Sequence, residues 1–158
     1  MEDVPDEFVA PTLEPLIQLD VFVEPAIDVG TGPNGTRKLI PITDGAVRGA
    51  FTGRVLPGGA DFQLIRPDGV AEIEARYVIE TDRGELVYVT NTGVRHAPAD
   101  VMARLAAGEI VDPAAVYFRT LPRFETASER LQWLTRDVFV ATGARLPDRV
   151  RLAFYRVS

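Results

Sequence analysis

Between residues 70 and 80 apolar and polar side chains alternate without a break. Ala71, Ile73, Ala75, Tyr77 and Ile79 fall on one face, and Glu72, Glu74, Arg76 and Glu80 on the other. Successive side chains of a strand point to opposite faces, so this pattern describes a strand with one apolar side and does not fit a helix. Asp82-Arg83-Gly84 follows as a hairpin turn, with Gly84 free to take positive φ. Glu85-Leu-Val-Tyr-Val-Thr-Asn91, rich in β-branched and aromatic residues, returns as the next strand. Pro67-Asp68-Gly69 supplies an earlier turn and joins a strand at 61–66 to the one at 70–80. The result is a three-stranded meander from Asp61 to Asn91.

The same two-residue period covers about 13–63, and further strands are expected at 13–23, 46–56, 115–120, 137–143 and 149–157. Ala99 to Ala107, stopped by Gly108, reads as a short helix. Thr126-Ala-Ser-Glu129 fits a capping box and predicts a second helical turn starting there. Many short strands with turns every 8–12 residues belong to a sandwich or a barrel. A single antiparallel β-barrel with one or two short helices is the expected all-β fold, because closure leaves no exposed edge. A chain of 158 residues, 46% of them apolar, makes one domain with a real core. That domain is expected over 13–158, after a flexible acidic stretch at 1–12.

Composition excludes more chemistry than it suggests. With no cysteine, disulfides, thiolate nucleophiles and Cys-ligated metals are ruled out. One histidine, His96, cannot build a multi-histidine metal site, and Lys38 is the single lysine beside sixteen arginines. No cofactor or metal is therefore expected, and acid–base work falls to carboxylates, tyrosines or His96. A net charge of −6 argues against a nucleic-acid partner. No apolar run approaches the ~20 residues of a membrane-spanning helix, so no membrane partner is expected. The acidic start lacks the basic region of a secretory signal, and a cytoplasmic location is expected. The glycine-rich stretch Asp28–Gly35 lacks the Gly-Lys-Ser/Thr of a phosphate loop.

Several stretches together resemble the domain of unknown function family 3237, also called uncharacterised protein family 0311. They are Leu13-Glu-Pro-Leu16, Arg37-Lys-Leu-Ile-Pro-Ile42, Gly45, Gly49, Gly53-Arg-Val-Leu-Pro-Gly-Gly-Ala-Asp61 and Arg66-Pro-Asp-Gly69. Further on come Ala75-Arg-Tyr77, Asn91, Tyr117-Phe-Arg-Thr120, Phe124-Glu-Thr126, Trp133-Leu134 and Phe139-Val140. Leu-Pro-Gly-Gly-Ala-Asp with Tyr-Phe-Arg-Thr downstream is the specific pair, and the resemblance covers about 13–157. Phe62 stands where the family usually has tryptophan, and Thr135 where asparagine is common. The resemblance implies a compact calycin-like or allene-oxide-cyclase-like barrel whose members mostly lack an assigned activity.

Two residues carry the proposed chemistry. Asp61 closes Pro57-Gly-Gly-Ala-Asp61 at the entry to a strand, where a bulge can aim its carboxyl toward a site as a general base. The bland alternative is an Asx-type bond within its own turn. Arg119 shares a face with Tyr117 and lies opposite Phe118, and is read either as a pocket arginine stabilising a carboxylate or oxyanion or as an outward surface arginine. Arg76 has a polar-lumen and a solvated-face reading, which parity alone does not separate. Asn91 either anchors a substrate carbonyl or ends its strand. Phe62, Tyr88, Tyr117 and Trp133 are candidate substrate walls, with core packing as the alternative for Trp133. His96, in an irregular loop, has a pocket-mouth reading and a surface reading. A carboxylate pair of Asp61 with Glu125 or Glu129 for glycosidase chemistry is disfavoured, because Glu129 already has a capping role.

The function expected from this set is a cofactor-independent enzyme, of the lyase, isomerase or cyclase type. It would hold a small aromatic or polyketide-like molecule in the barrel and promote cyclisation, isomerisation, hydration or elimination. A lipocalin-like protein that binds the same ligand without turnover is the alternative. A third reading is an interaction domain in which Asp61 and Arg119 pair with each other. A small organic ligand and a second copy of the chain, as a homodimer, are the expected partners.

Overall fold

In a computed structural model, residues 8–158 are described, so the first seven of the expected acidic stretch lie outside the described residues. Ten strands follow: β1 (Leu13–Val23), β2 (Ile27–Gly32), β3 (Gly35–Gly49), β4 (Gly53–Val55), β5 (Ala60–Ile65), β6 (Ala71–Thr81), β7 (Leu86–His96), β8 (Tyr117–Thr126), β9 (Val138–Arg145) and β10 (Arg149–Val157). One helix, α1 (Ala99–Ala106), connects β7 toward β8. The sheet order runs β1-β10-β9-β8-β7-β6, passes to β3 through β4 and β5, and returns through the β1–β3 pairing. Because β4 and β5 share one position between β3 and β6, the ring is a closed eight-strand antiparallel barrel. β2 extends β3 as a hairpin outside that ring.

The alternation in β6 resolves here. Ala71, Ile73, Ala75, Tyr77 and Ile79 are buried in the lumen, whereas Glu72 and Arg76 face solvent. Each fully buried aliphatic or aromatic side chain contributes about 1.5–3 kcal/mol over its exposed state, so this face sets the register of the whole strand. Phe124, Phe139, Phe154, Leu131 and Leu134 close one end, with Phe124 and Phe139 edge to face at 5.1 Å. A bidentate pair from Arg130 to Glu85, at 2.6 and 3.0 Å, clasps the outside of that end. At the other end α1 lies across the mouth and buries none of its residues.

The hairpin turns come out as expected, with Gly69 and Gly84 at φ +88° and +79°, and Gly108 at +81° ends α1. Several local expectations change. β7 runs past the expected end at Asn91 to His96, so His96 closes a strand instead of lying in a loop. The strand expected over 46–56 is broken, since β3 stops at Gly49 and β4 begins at Gly53. Gly49 has φ +129°, and a Cβ there would lie 2.5 Å from the Leu16 carbonyl, so the chain turns away from β1 at that point. The helical turn expected from Thr126 is a single 3₁₀ turn at Gln132–Thr135 instead. Thr126 is still in β8, where its hydroxyl donates to the Leu86 carbonyl at 2.8 Å and accepts from the Ser128 amide. The sheet ladder claims the residue before a helix cap can.

Candidate functional site

The lumen is apolar along β1, β3 and β10, where Val21, Ile40, Ile42, Val150 and Leu152 line it. Polar groups enter from the opposite side. Asp61 and Gln63 come from β5, Tyr77 from β6, Asn91 and Arg95 from β7, Thr120 from β8 and Arg145 from β9. The register places Asp61 opposite Ala75 and Ala75 opposite Asn91, so Asp61 and Asn91 stand on one ladder level across β5, β6 and β7.

These groups bound a small pit of about 40 Å³ that reaches into the barrel. Above it, under α1, opens a vestibule of about 590 Å³, and Ile40, Gln63, Arg95 and Arg145 border both spaces. The vestibule falls within the roughly 300–1,000 Å³ of typical small-molecule sites. The pit accommodates only a functional group or a few waters.

The polar wall is under-satisfied. The Tyr77 hydroxyl, Asn91 Oδ1, Arg95 Nε and Thr120 Oγ1 are buried and have no hydrogen-bond partner within the protein. An unpaired buried polar group costs about 1–3 kcal/mol, so four on one wall leave unmet hydrogen-bonding capacity facing the cavity. Burial pushes the Asp61 carboxyl above its ordinary 3.8, while the Glu74 amide, the Arg95 charge and Gln63 hold it partly down. Burial, together with the nearby Arg145 charge, draws the Arg95 guanidinium down to about 10, with Asp61 acting the other way. Arg145 is lowered by burial and held up by Asp148 and Asp61. Burial also raises the Tyr77 hydroxyl, keeping it protonated as a donor. Among the described residues no cluster of three or more His, Asp or Glu side chains converges as a metal site.

Of the residues singled out from the sequence, Asp61 and Asn91 stand together in this cavity. Arg119 does not. Its side chain lies on the outer face over the Tyr117 ring at 5.4 Å, and Nη1 donates to Thr142 Oγ1 and to the Phe118 carbonyl, each at 2.9 Å. Phe118 and Thr120 take the lumen, and alternation turns Tyr117 and Arg119 outward. Tyr117 stacks on exposed His96 at 4.9 Å. Arg76 pairs with Glu74 in solvent at 2.8 Å, so the solvated-face reading describes it. Phe62 is exposed opposite Leu39, and Tyr88 pairs with Val78 and Glu125 on the outer face. Trp133 packs beside Phe139 at the closed end, ring centroids 6.1 Å apart. Glu125 and Glu129 are exposed and share no space with Asp61.

Gln63, Tyr77, Arg95, Thr120 and Arg145 complete the wall, and the sequence reading did not single them out as site residues. Parity holds the signal for them. Asn91 and Arg95 share one face of β7, as Phe118 and Thr120 do on β8 and Ala141 and Arg145 on β9. Choosing the lumen face finds all of them, but only closure of the ring chooses that face.

Comparison with known proteins agrees with the barrel and its motifs. A UPF0311 protein of Bradyrhizobium diazoefficiens is 50% identical over 123 residues, covering 78% of this chain and 81% of that one. A UPF0311 protein of Clostridium acetobutylicum is 44% identical over 147 residues, covering 92% and 93%. Among solved structures, a protein of unknown function from Clostridium acetobutylicum superposes with TM-score 0.88 at 41% identity, over 96% of this chain and 100% of that one. A structure described as an enzyme from Penicillium herquei shares the fold, with TM-score 0.75 at 22% identity over 98% and 100%. The profile of the family described as protein of unknown function (DUF3237) matches residues 11–157, through every strand of the barrel, and the chain belongs to that family.

Proposed function

We propose that the barrel is a cofactor-independent enzyme that moves a proton on a small organic molecule, with Asp61 as the acid–base group. The carrying observation is a carboxyl raised by burial and facing a cavity beside unpartnered neutral groups. A carboxyl raised above its ordinary value is a stronger base when ionised and can return the proton as an acid, as isomerisation, cyclisation and elimination require. The Glu74 amide, at 2.9 Å from Oδ1, and Gln63, at 3.4 Å from Oδ2, fix the orientation of that carboxyl. Asn91, Thr120 and the Tyr77 hydroxyl are placed to hold a carbonyl or hydroxyl in the pit, and the aliphatic wall opposite excludes water. The part assigned to Arg119 from the sequence passes to charges inside the lumen. The Penicillium herquei neighbour is called an enzyme, which supports catalysis on this scaffold.

The test is incubation with a small-metabolite extract, followed by native mass spectrometry of the bound species. A captured molecule that changes chemically with wild-type protein, and stays unchanged with Asp61→Asn, supports the enzyme. Capture without change by both proteins makes the barrel a carrier.

A further inference from the structure

Arg95 and Arg145 border the same neck, where the pit opens into the vestibule, and neither forms an ion pair among the described residues. Arg95 is 9% exposed, lies over the Phe118 ring at 5.5 Å, and leaves Nε without an acceptor. Arg145 uses Nη1 alone, on the carbonyls of Leu146 and Arg149 at 2.5 and 3.2 Å. Lys38 adds a third cation to the vestibule. Neither carboxylate that lines these spaces makes an ion pair with any of the three, and Asp61 acts on both guanidinium groups only from a distance. Asp61 is bonded to Glu74 and Gln63, and Asp68 is paired with Arg66.

We propose that Arg95 and Arg145 form a binding subsite for the carboxylate of an organic anion whose apolar body occupies the vestibule. The inference rests on the reading of the lumen as a small-molecule site and names the chemistry of its ligand. One buried and one half-buried guanidinium group, neither in an ion pair, leave donors unused, and a carboxylate entering between them engages both. A guanidinium presents its N–H donors in a planar fork that fits carboxylate oxygens, which a lone ammonium does not. The body of the ligand meets Ile65 from below and Met102 and Leu105 of α1 from above. The pit is too small to take that body, so the carboxylate sits at the neck with the end nearest Asp61 pointing inward.

A matched pair of probes tests the subsite on the full chain: 4-phenylbutyrate and its amide, 4-phenylbutanamide, titrated by calorimetry. The carboxylate is expected to bind wild-type protein at least tenfold more tightly, equivalent to about 1.4 kcal/mol. Arg95→Met and Arg145→Met are each expected to abolish that preference, and Asp61→Asn to keep it. Equal binding of both probes, or of neither, overturns the subsite on wild-type protein alone, whether or not the variants fold. A preference that survives in folded Arg95→Met and Arg145→Met overturns it too. Failure of Asp61→Asn to lose turnover, with the carboxylate preference intact, counts against the acid–base reading and leaves the subsite standing.

Discussion

The Asp61 carboxylate accepts the backbone N–H of Glu74 at 2.9 Å, at a point where the ladder between β5 and β6 opens. Asp61 pairs with Ala75 and Leu64 with Glu72, but the two steps between them carry no ladder pairing. The side chain takes the amide that a backbone carbonyl would otherwise accept. One bond thereby holds two strands together and fixes the carboxyl against the lumen. The sequence reading allowed an Asx bond within Asp61's own turn; the bond that forms instead crosses to the next strand.

Asp61→Asn is expected to keep or raise stability at neutral pH. The folded carboxyl is raised above the ordinary 3.8 by burial. Folding therefore favours its protonated form, fully below the ordinary value, and that advantage is lost as pH rises through the folded value. Melting temperatures from pH 3 to 8 check this. The variant should gain on wild type as pH rises, and a variant that falls progressively behind refutes the assignment.

Acid should act through a different carboxylate. Glu85, bonded to Arg130, Ser128 and Thr81, is held down to about 2 from its ordinary 4.5, chiefly by the Arg130 hydrogen bonds. A depressed carboxylate contributes stability above the ordinary value and loses it as pH falls through the folded one. Glu85→Gln should melt below wild type at pH 6, and the gap should close as pH falls from 4.5 toward 2. A gap independent of pH would assign the effect to packing alone.

Gly93→Ala is expected to destabilise by about 1–3 kcal/mol, as overpacking does. A Cβ at Gly93 would lie 2.2 Å from the Arg119 carbonyl and 2.6 Å from the Thr120 Cα, both backbone atoms of β8. Chemical denaturation measures the loss, and an unchanged midpoint would mean that β7 and β8 can separate without cost.

Arg119→Ala should leave ligand binding and turnover unchanged, and stability within about 0.5 kcal/mol, since it removes surface contacts only. Denaturation and the carboxylate titration above check it. A tenfold loss of affinity would return Arg119 to the site.

Amide exchange should be fastest in α1 among the helices and strands of the barrel. It buries no residue and roofs an open space, so local opening exposes little apolar surface. Protection in α1 equal to that of β6 would mean that the roof is fixed.

The alternation of β6, the glycine turns and the stop at Gly108 were legible because each depends on neighbours within a few residues. So was the family, through the motif pair around Asp61 and Arg119. The break at Gly49 was not, since it follows from contact with Leu16, thirty-three residues earlier in the chain. Thr126 carried a valid capping signal that the β8 ladder overrode.

By itself the sequence determined that strands alternate, where they turn, and that their number suits an antiparallel barrel, because side-chain period and turn chemistry are local properties of the chain. Which face of each strand became the lumen was decided only by closure of β1 on β3. That step buried Arg95 and half-buried Arg145 beside Asp61 and Asn91, and turned Arg119 to solvent. A one-residue period separates Arg119 from Thr120, and only the packing of the closed ring selects which of the two looks inward.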